Sequence, residues 1–146
     1  MLVEMRGKVD SRAPKKYEEL EIGSEFPSVR YELTPSLISR FEEAVEASSY
    51  GGLVPPLAIL ACALKAASQS IDMPPGSVHA SQEIEFLKAV SVGSTIDCHV
   101  RIIKKISRSG LRMVVIGLEA LDRSRELVLS AAATVVSPAE VGVSAK

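Results

Sequence analysis

An α+β domain, with an antiparallel sheet wrapped around one long buried helix, is the fold class that this sequence predicts. Three observations carry the prediction. The stretch from Leu53 to Ile71 is apolar nearly all round after Pro55-Pro56 and is dominated by the strong helix formers Ala and Leu. Four strand-like segments follow it, separated mostly by tight turns, which favours antiparallel pairing. The 146-residue chain is 47% hydrophobic, enough for a single core. A helix that is apolar on every side must be covered, and a single sheet must cover one of its faces, so each element answers the other's need. The other face and the edges of such a sheet often meet a second copy, so a dimer is predicted.

Taken in order, residues 1–16 are charged, end in Ala13-Pro14-Lys15-Lys16, and read as a loosely held arm. The domain proper is expected over 17–138. Tyr17 to Glu25 is a short turn with Gly23 at its bend. From Phe26 to Leu33, Val29, Tyr31 and Leu33 alternate with Ser28, Arg30 and Glu32, the period-two pattern of a half-buried strand. Thr34-Pro35 supplies an N-cap and a first-turn proline. Leu37, Ile38, Phe41, Ala44 and Val45 then recur at helical spacing over about three turns. This helix stops near Ser48-Ser49-Tyr50-Gly51-Gly52, and Met73-Pro74-Pro75-Gly76 ends the next one. Strands are predicted over 77–87, 94–106, 111–122 and 126–136, with turns at Ser107–Gly110 and Asp122–Arg125. Pro138 closes the last strand, and 139–146 reads as a mobile tail.

Composition narrows function. With 17 basic and 18 acidic residues the net charge is -1, which argues against a nucleic-acid binder. Cys62 and Cys98 lie in apolar runs without metal-ligand spacing and read as core residues of a reducing compartment. MLVEMRGKVD lacks the apolar core of a secretory signal, and Lys65 closes the longest apolar run short of a membrane span. A cytoplasmic protein is expected.

Four stretches carry a family resemblance: YEELEIGSEFPSVRYELTPSLISRFEEAVE, SSYGGLVPPLAIL, GSVHASQEIEFLKAVSVGSTI and DRSRELVLSAAATVVSP. Each is weakly specific, but their order and spacing, from Tyr17 to Pro138, resemble the MaoC-like hydratase/dehydratase family of the hot-dog fold, in its fatty-acid-synthase-like dehydratase branch. The resemblance implies an acyl thioester ligand, on coenzyme A or acyl carrier protein, and hydration of a trans-2-enoyl thioester or the reverse. It implies no metal and no redox cofactor. The family's catalytic motif, roughly Gly-Asp-x-Asn-Pro-x-His after the first helix, is missing: Glu46-Ala47-Ser48-Ser49 runs straight into Tyr50-Gly51-Gly52. Ala89 replaces the usual Pro of the third stretch, and Ser94 the usual acidic residue.

Water addition needs an acid/base group and donors for the enolate oxygen. His79 is the candidate catalytic residue; on strict alternation it shares a face with Ser81, Glu83 and Glu85, so it reads either as a site residue or as a polar strand-face histidine. Tyr50, Gly51, Gly52, Gln82 and Glu83 are the candidate substrate contacts. Gly51 and Gly52 lead into a helix N-terminus that suits developing negative charge, although Pro55 and Pro56 remove two donors. His99, between Asp97 and Arg101, reads as a solvent-facing strand residue. Glu42, Glu43 and Glu46 fit a solvated helix face, with a thioesterase carboxylate as the sharper reading. Ser48 and Ser49 have no nearby base to make them nucleophiles. Lys104, Lys105, Arg108 and Arg112 surround one hairpin, either as a phosphate-binding cluster or as a soluble edge. Three activities compete: an enoyl-thioester hydratase using His79, a silent subunit paired with itself or with another hot-dog chain, and a hot-dog thioesterase.

Overall fold

A computed structural model describes residues 13–46 and 51–138. Most of the expected N-terminal arm, the whole expected tail, and Ala47, Ser48, Ser49 and Tyr50 lie outside these residues. The order is β1 (Lys15–Lys16), a 3-10 turn (Tyr17–Glu19), β2 (Val29–Glu32), α1 (Pro35–Ala44), α2 (Pro56–Ser70), β3 (Ile71–Asp72), β4 (Val78–Phe86), β5 (Thr95–Arg108), β6 (Leu111–Leu121) and β7 (Leu127–Pro138). Five strands form one antiparallel sheet in the order β2-β5-β6-β7-β4. β1, inside the stretch read as an arm, instead pairs in parallel with β3 at the C-terminal end of α2.

The local causes are those the sequence offers. Thr34 Oγ1 accepts the Leu37 amide at 3.1 Å and Pro35 opens α1. α2 lies against the sheet on Ala58, Ile59, Cys62, Ala63, Ala66 and Ala67, all buried. Small residues on that face let the helix approach closely. Ile96, Cys98, Val100 and Ile102 of β5, with Val114, Ile116, Leu118 and Ala120 of β6, complete the core beneath it. Each fully buried aliphatic side chain contributes about 1.5–3 kcal/mol through removal from water.

Composition predicts that α2 is covered all round, and it is not. Leu57 is 56% exposed, and Ala61 and Ser68 are exposed on the same stripe. No helix among the described residues is long and apolar enough to cross a membrane.

Tyr31 is the largest core side chain whose polar group has no partner among the described residues. It is fully buried, and its hydroxyl makes no hydrogen bond there. Burial pushes its ionisation upward. Leaving a buried hydroxyl unsatisfied costs about 1–3 kcal/mol. Tyr31→Phe is therefore expected to raise stability by about 1 kcal/mol, read as a higher midpoint in urea with an unchanged slope.

Candidate functional site

An apolar cavity of about 340 Å³ lies between α1 and α2. Leu33, Leu37, Ile38, Phe41 and Ala44 wall one side, and Ala58, Ala61 and Cys62 the other. Arg40 is the single charged residue of this lining. The cavity exists because α1 packs on the domain through Ile38, which is 3% exposed, while Leu37 and Phe41 are only partly covered. Its size falls at the small end of ligand pockets, which run roughly 300–1,000 Å³.

The chain leaves α1 beside this cavity and returns at Gly51. Gly52 has φ 90, a left-handed conformation that glycine adopts without strain. Its carbonyl accepts the Val92 amide at 2.9 Å, and the Val54 amide donates to Val90 at 2.9 Å, so this approach to α2 is sewn to the loop between β4 and β5. The amide supply expected at the α2 N-terminus is thereby reduced. Pro55 and Pro56 have no N–H, the Val54 amide goes to Val90, and the Ala58 amide goes to the Pro55 carbonyl.

The bulge in β4 changes the reading of His79. His79 pairs with Val135 and Ser81 with Thr134, so Ala80 is an extra residue. Gln82, Ile84 and Phe86 pair with Ala133, Ala131 and Leu129, the helix-facing side of β7. Val135 continues that side, so His79 shares the helix-side face with Gln82, not the outer face of Ser81, Glu83 and Glu85 that strict alternation predicts. His79 is exposed and stands at the far end of β4 from Leu87 and the loop that holds Gly52. Gln82 Nε2 donates to the Ala132 carbonyl at 3.0 Å and the Glu83 carbonyl at 3.3 Å, which ties it to its own sheet. The Glu83 side chain lies on the outer face. Of the candidate contacts, only Gly51 and Gly52 belong to the turn leading into α2, and Tyr50 is outside the described residues.

The remaining candidates lie elsewhere. His99 is on the outer face opposite Glu119, with its Nε2 buried and unpartnered among the described residues. Next to it on that face, Asp97 accepts two hydrogen bonds from Arg30, at 2.8 and 3.3 Å, and these hold its carboxyl below the usual range. Glu42, Glu43 and Glu46 are absent from the cavity lining. The basic hairpin is half committed to structure. Lys105 sits 4.7 Å above the Tyr17 ring and donates to the Leu20 carbonyl. Arg112 is buried, pairs with Glu18 at 3.1 Å and donates twice to the Pro138 carbonyl. Both pin the N-terminal 3-10 turn to the hairpin, so they cannot serve a phosphate cluster as the sequence allowed. Lys104 and Arg108 stay exposed.

Cys62 is the one nucleophile type in the cavity wall, and burial pushes its thiol up to about 12, so it is protonated and inert at neutral pH. The lining holds no carboxylate and no imidazole. Chemically, such a slot can take an aliphatic chain; its own walls supply no proton transfer.

An antiparallel sheet curled on one central helix, in this strand order, is the hot-dog fold. Solved structures with the same fold include an (R)-hydratase, PhaJ1, from Pseudomonas aeruginosa (16% identity, 85% of this chain and 86% of that one, TM-score 0.68). They also include a MaoC-like dehydratase from Rhodospirillum rubrum (20% identity, 83% and 94%, TM-score 0.65). A hypothetical thioesterase from Streptococcus pneumoniae, solved with coenzyme A, matches over 82% of both chains (14% identity, TM-score 0.57). No protein-family model matches the chain, and no curated protein does.

Proposed function

We propose that this chain is a MaoC-like acyl-thioester-binding protein that holds its ligand's acyl chain in the cavity between α1 and α2 and does not turn it over by itself. The cavity lining carries this reading: eight apolar residues, one arginine, and no acid or base. The four resembling stretches and the hot-dog neighbours, which include an (R)-hydratase, a dehydratase and a coenzyme A-bound hypothetical thioesterase, support the ligand class. The chemistry is withheld because the segment between Glu46 and Gly51 has no Asp or His to replace the family's dyad. The setting we infer is fatty-acid metabolism in the cytoplasm, in keeping with two buried unpaired thiols.

The working unit we infer is a dimer through β4. This strand is an outer strand of the sheet, and its Val78, Ile84 and Phe86 are 60%, 38% and 43% exposed. Such an edge invites pairing with a second strand, from another copy or from a related hot-dog chain. A second reading, hydration by His79, has one observation in its favour: the bulge turns His79 to the helix side of this same edge, where a partner's site could use it.

The test incubates the purified protein with crotonyl-CoA and a longer enoyl-CoA, following loss of the conjugated double bond and release of free thiol, while calorimetry follows binding of octanoyl-CoA. Saturable binding with silence in both reaction channels is the expected result. Loss of the double bond that disappears in His79→Ala would establish the hydratase instead. Thiol release would make the chain a thioesterase, and no binding would end the proposal.

A further inference from the structure

The cavity between α1 and α2 is graded from a closed end to an open one. Leu33, Ile38, Ala58 and Cys62 are buried and form its floor. Leu37 and Phe41, half-buried, stand between. Arg40, Ala44 and Ala61 are exposed and form its rim. The slot is therefore apolar where water is excluded, and the one charge of its described lining sits where water reaches.

The position of Arg40 on α1 matters. Leu37, Phe41 and Ala44 recur at three- and four-residue intervals, the stripe of α1 that looks toward α2. Arg40 belongs to that stripe, three residues after Leu37 and four before Ala44. The neighbouring carboxylates do not: Glu42, Glu43 and Glu46 are all absent from the lining. The rim thus offers a permanent cation and, among the described residues, no anion.

An acyl-CoA makes little use of such a cation. With its acyl chain in the slot, the group at the rim is an uncharged thioester, and the phosphates lie the whole pantetheine arm away. A free carboxylic acid is a closer match. Its charge is attached directly to the alkyl chain, and its two oxygens fit the guanidinium fork bidentately.

We infer that this slot binds free carboxylic acids with an aliphatic chain, Arg40 holding the carboxylate at the rim while the chain runs down to Leu33 and Cys62. The inference rests on the proposed reading that the slot takes an alkyl chain, but not on that chain being a thioester. No bond is made or broken. Free acid and acyl thioester then exclude one another, so occupancy of the slot follows the balance between the two.

The test is calorimetry on the full chain with octanoate, its neutral isostere octanamide, and octanoyl-CoA, each kept below the concentration at which it self-associates. Octanoate is expected to bind about 10-fold tighter than octanamide, the worth of a hydrogen bond to a charged group. In Arg40→Gln, shown to be folded by circular dichroism, that preference disappears while the affinity for octanamide holds. Ala61→Trp, which fills the slot, removes binding of both, and octanoate displaces octanoyl-CoA from the natural chain. Octanoate that binds the natural chain no tighter than octanamide overturns the inference, with no variant needed. So does a preference that survives Arg40→Gln, or octanoate binding that survives Ala61→Trp. In those cases saturable binding of octanoyl-CoA leaves the thioester reading standing. Octanoate binding with the expected preference and no binding of octanoyl-CoA does the reverse. Silence from all three ligands ends both.

Discussion

Ala61→Trp is expected to weaken octanoyl-CoA binding by about 100-fold, the worth of three to four buried methylenes, while leaving binding of free coenzyme A unchanged. Ala61 lines the cavity but is exposed on the side of α2 that the sheet does not cover, so an indole there fills the slot without disturbing the core. Each methylene moved from water into the cavity is worth about 0.8 kcal/mol, or about fourfold in affinity. With the natural chain, affinity should climb by that factor along a series of saturated acyl-CoA ligands and then level off when the cavity is full. In Ala61→Trp the climb should be absent. Calorimetry across the series reads both, and an unaltered climb in the variant would place the acyl chain elsewhere.

The second large effect belongs to the opposite side of the same helix. Ala63 is fully buried against the sheet. Ala63→Leu inserts three carbons at a position with no exposed surface, and is expected to destabilise by about 3 kcal/mol, the upper end for overpacking. For a chain of this size that lowers the thermal midpoint by about 10 °C. Ala61→Leu, two residues earlier, should leave the midpoint within about 1 °C. Thermal unfolding of the two variants side by side measures how one-sided the helix is. Equal losses would mean that α2 is covered all round, as its composition alone suggests.

These alanines show what the sequence could and could not tell. The order of the longer elements was legible where period is clear, with Leu37, Ile38 and Phe41 at helical spacing in α1 and Ile96, Cys98, Val100 and Ile102 at strand spacing in β5, whereas the two-residue strands β1 and β3 are too short to leave a period. Burial of Cys62 and Cys98 followed from their apolar surroundings. The face of His79 was not legible. Val-His-Ala-Ser-Gln has no apolar period to fix its register, so a one-residue bulge reverses the pattern without leaving a mark in the sequence. The basic hairpin was misleading for a different reason. Arg112 looks like any surface arginine until Glu18 and the Pro138 carbonyl, far away in sequence, arrive beside it. The cavity was hidden likewise, since the stand-off of α1 from α2 is a property of their packing; Leu37 and Phe41 read equally well as core.

The Arg112 contacts have a consequence for the order in which the chain assembles. One guanidinium holds Glu18, near the start of the domain, and the carbonyl of Pro138, at the end of its last strand. The Tyr17 hydroxyl, donating to Ile106 at 3.0 Å, spans 89 positions. Joining such distant points costs chain entropy that only an already folded hairpin can offset. The N-terminal turn is therefore expected to dock after β5, β6 and β7 have paired, as a clasp closing on a finished sheet. In reverse it is the first piece to let go, so a protease or an exchanging amide should find residues 17–20 open long before the strands beneath them.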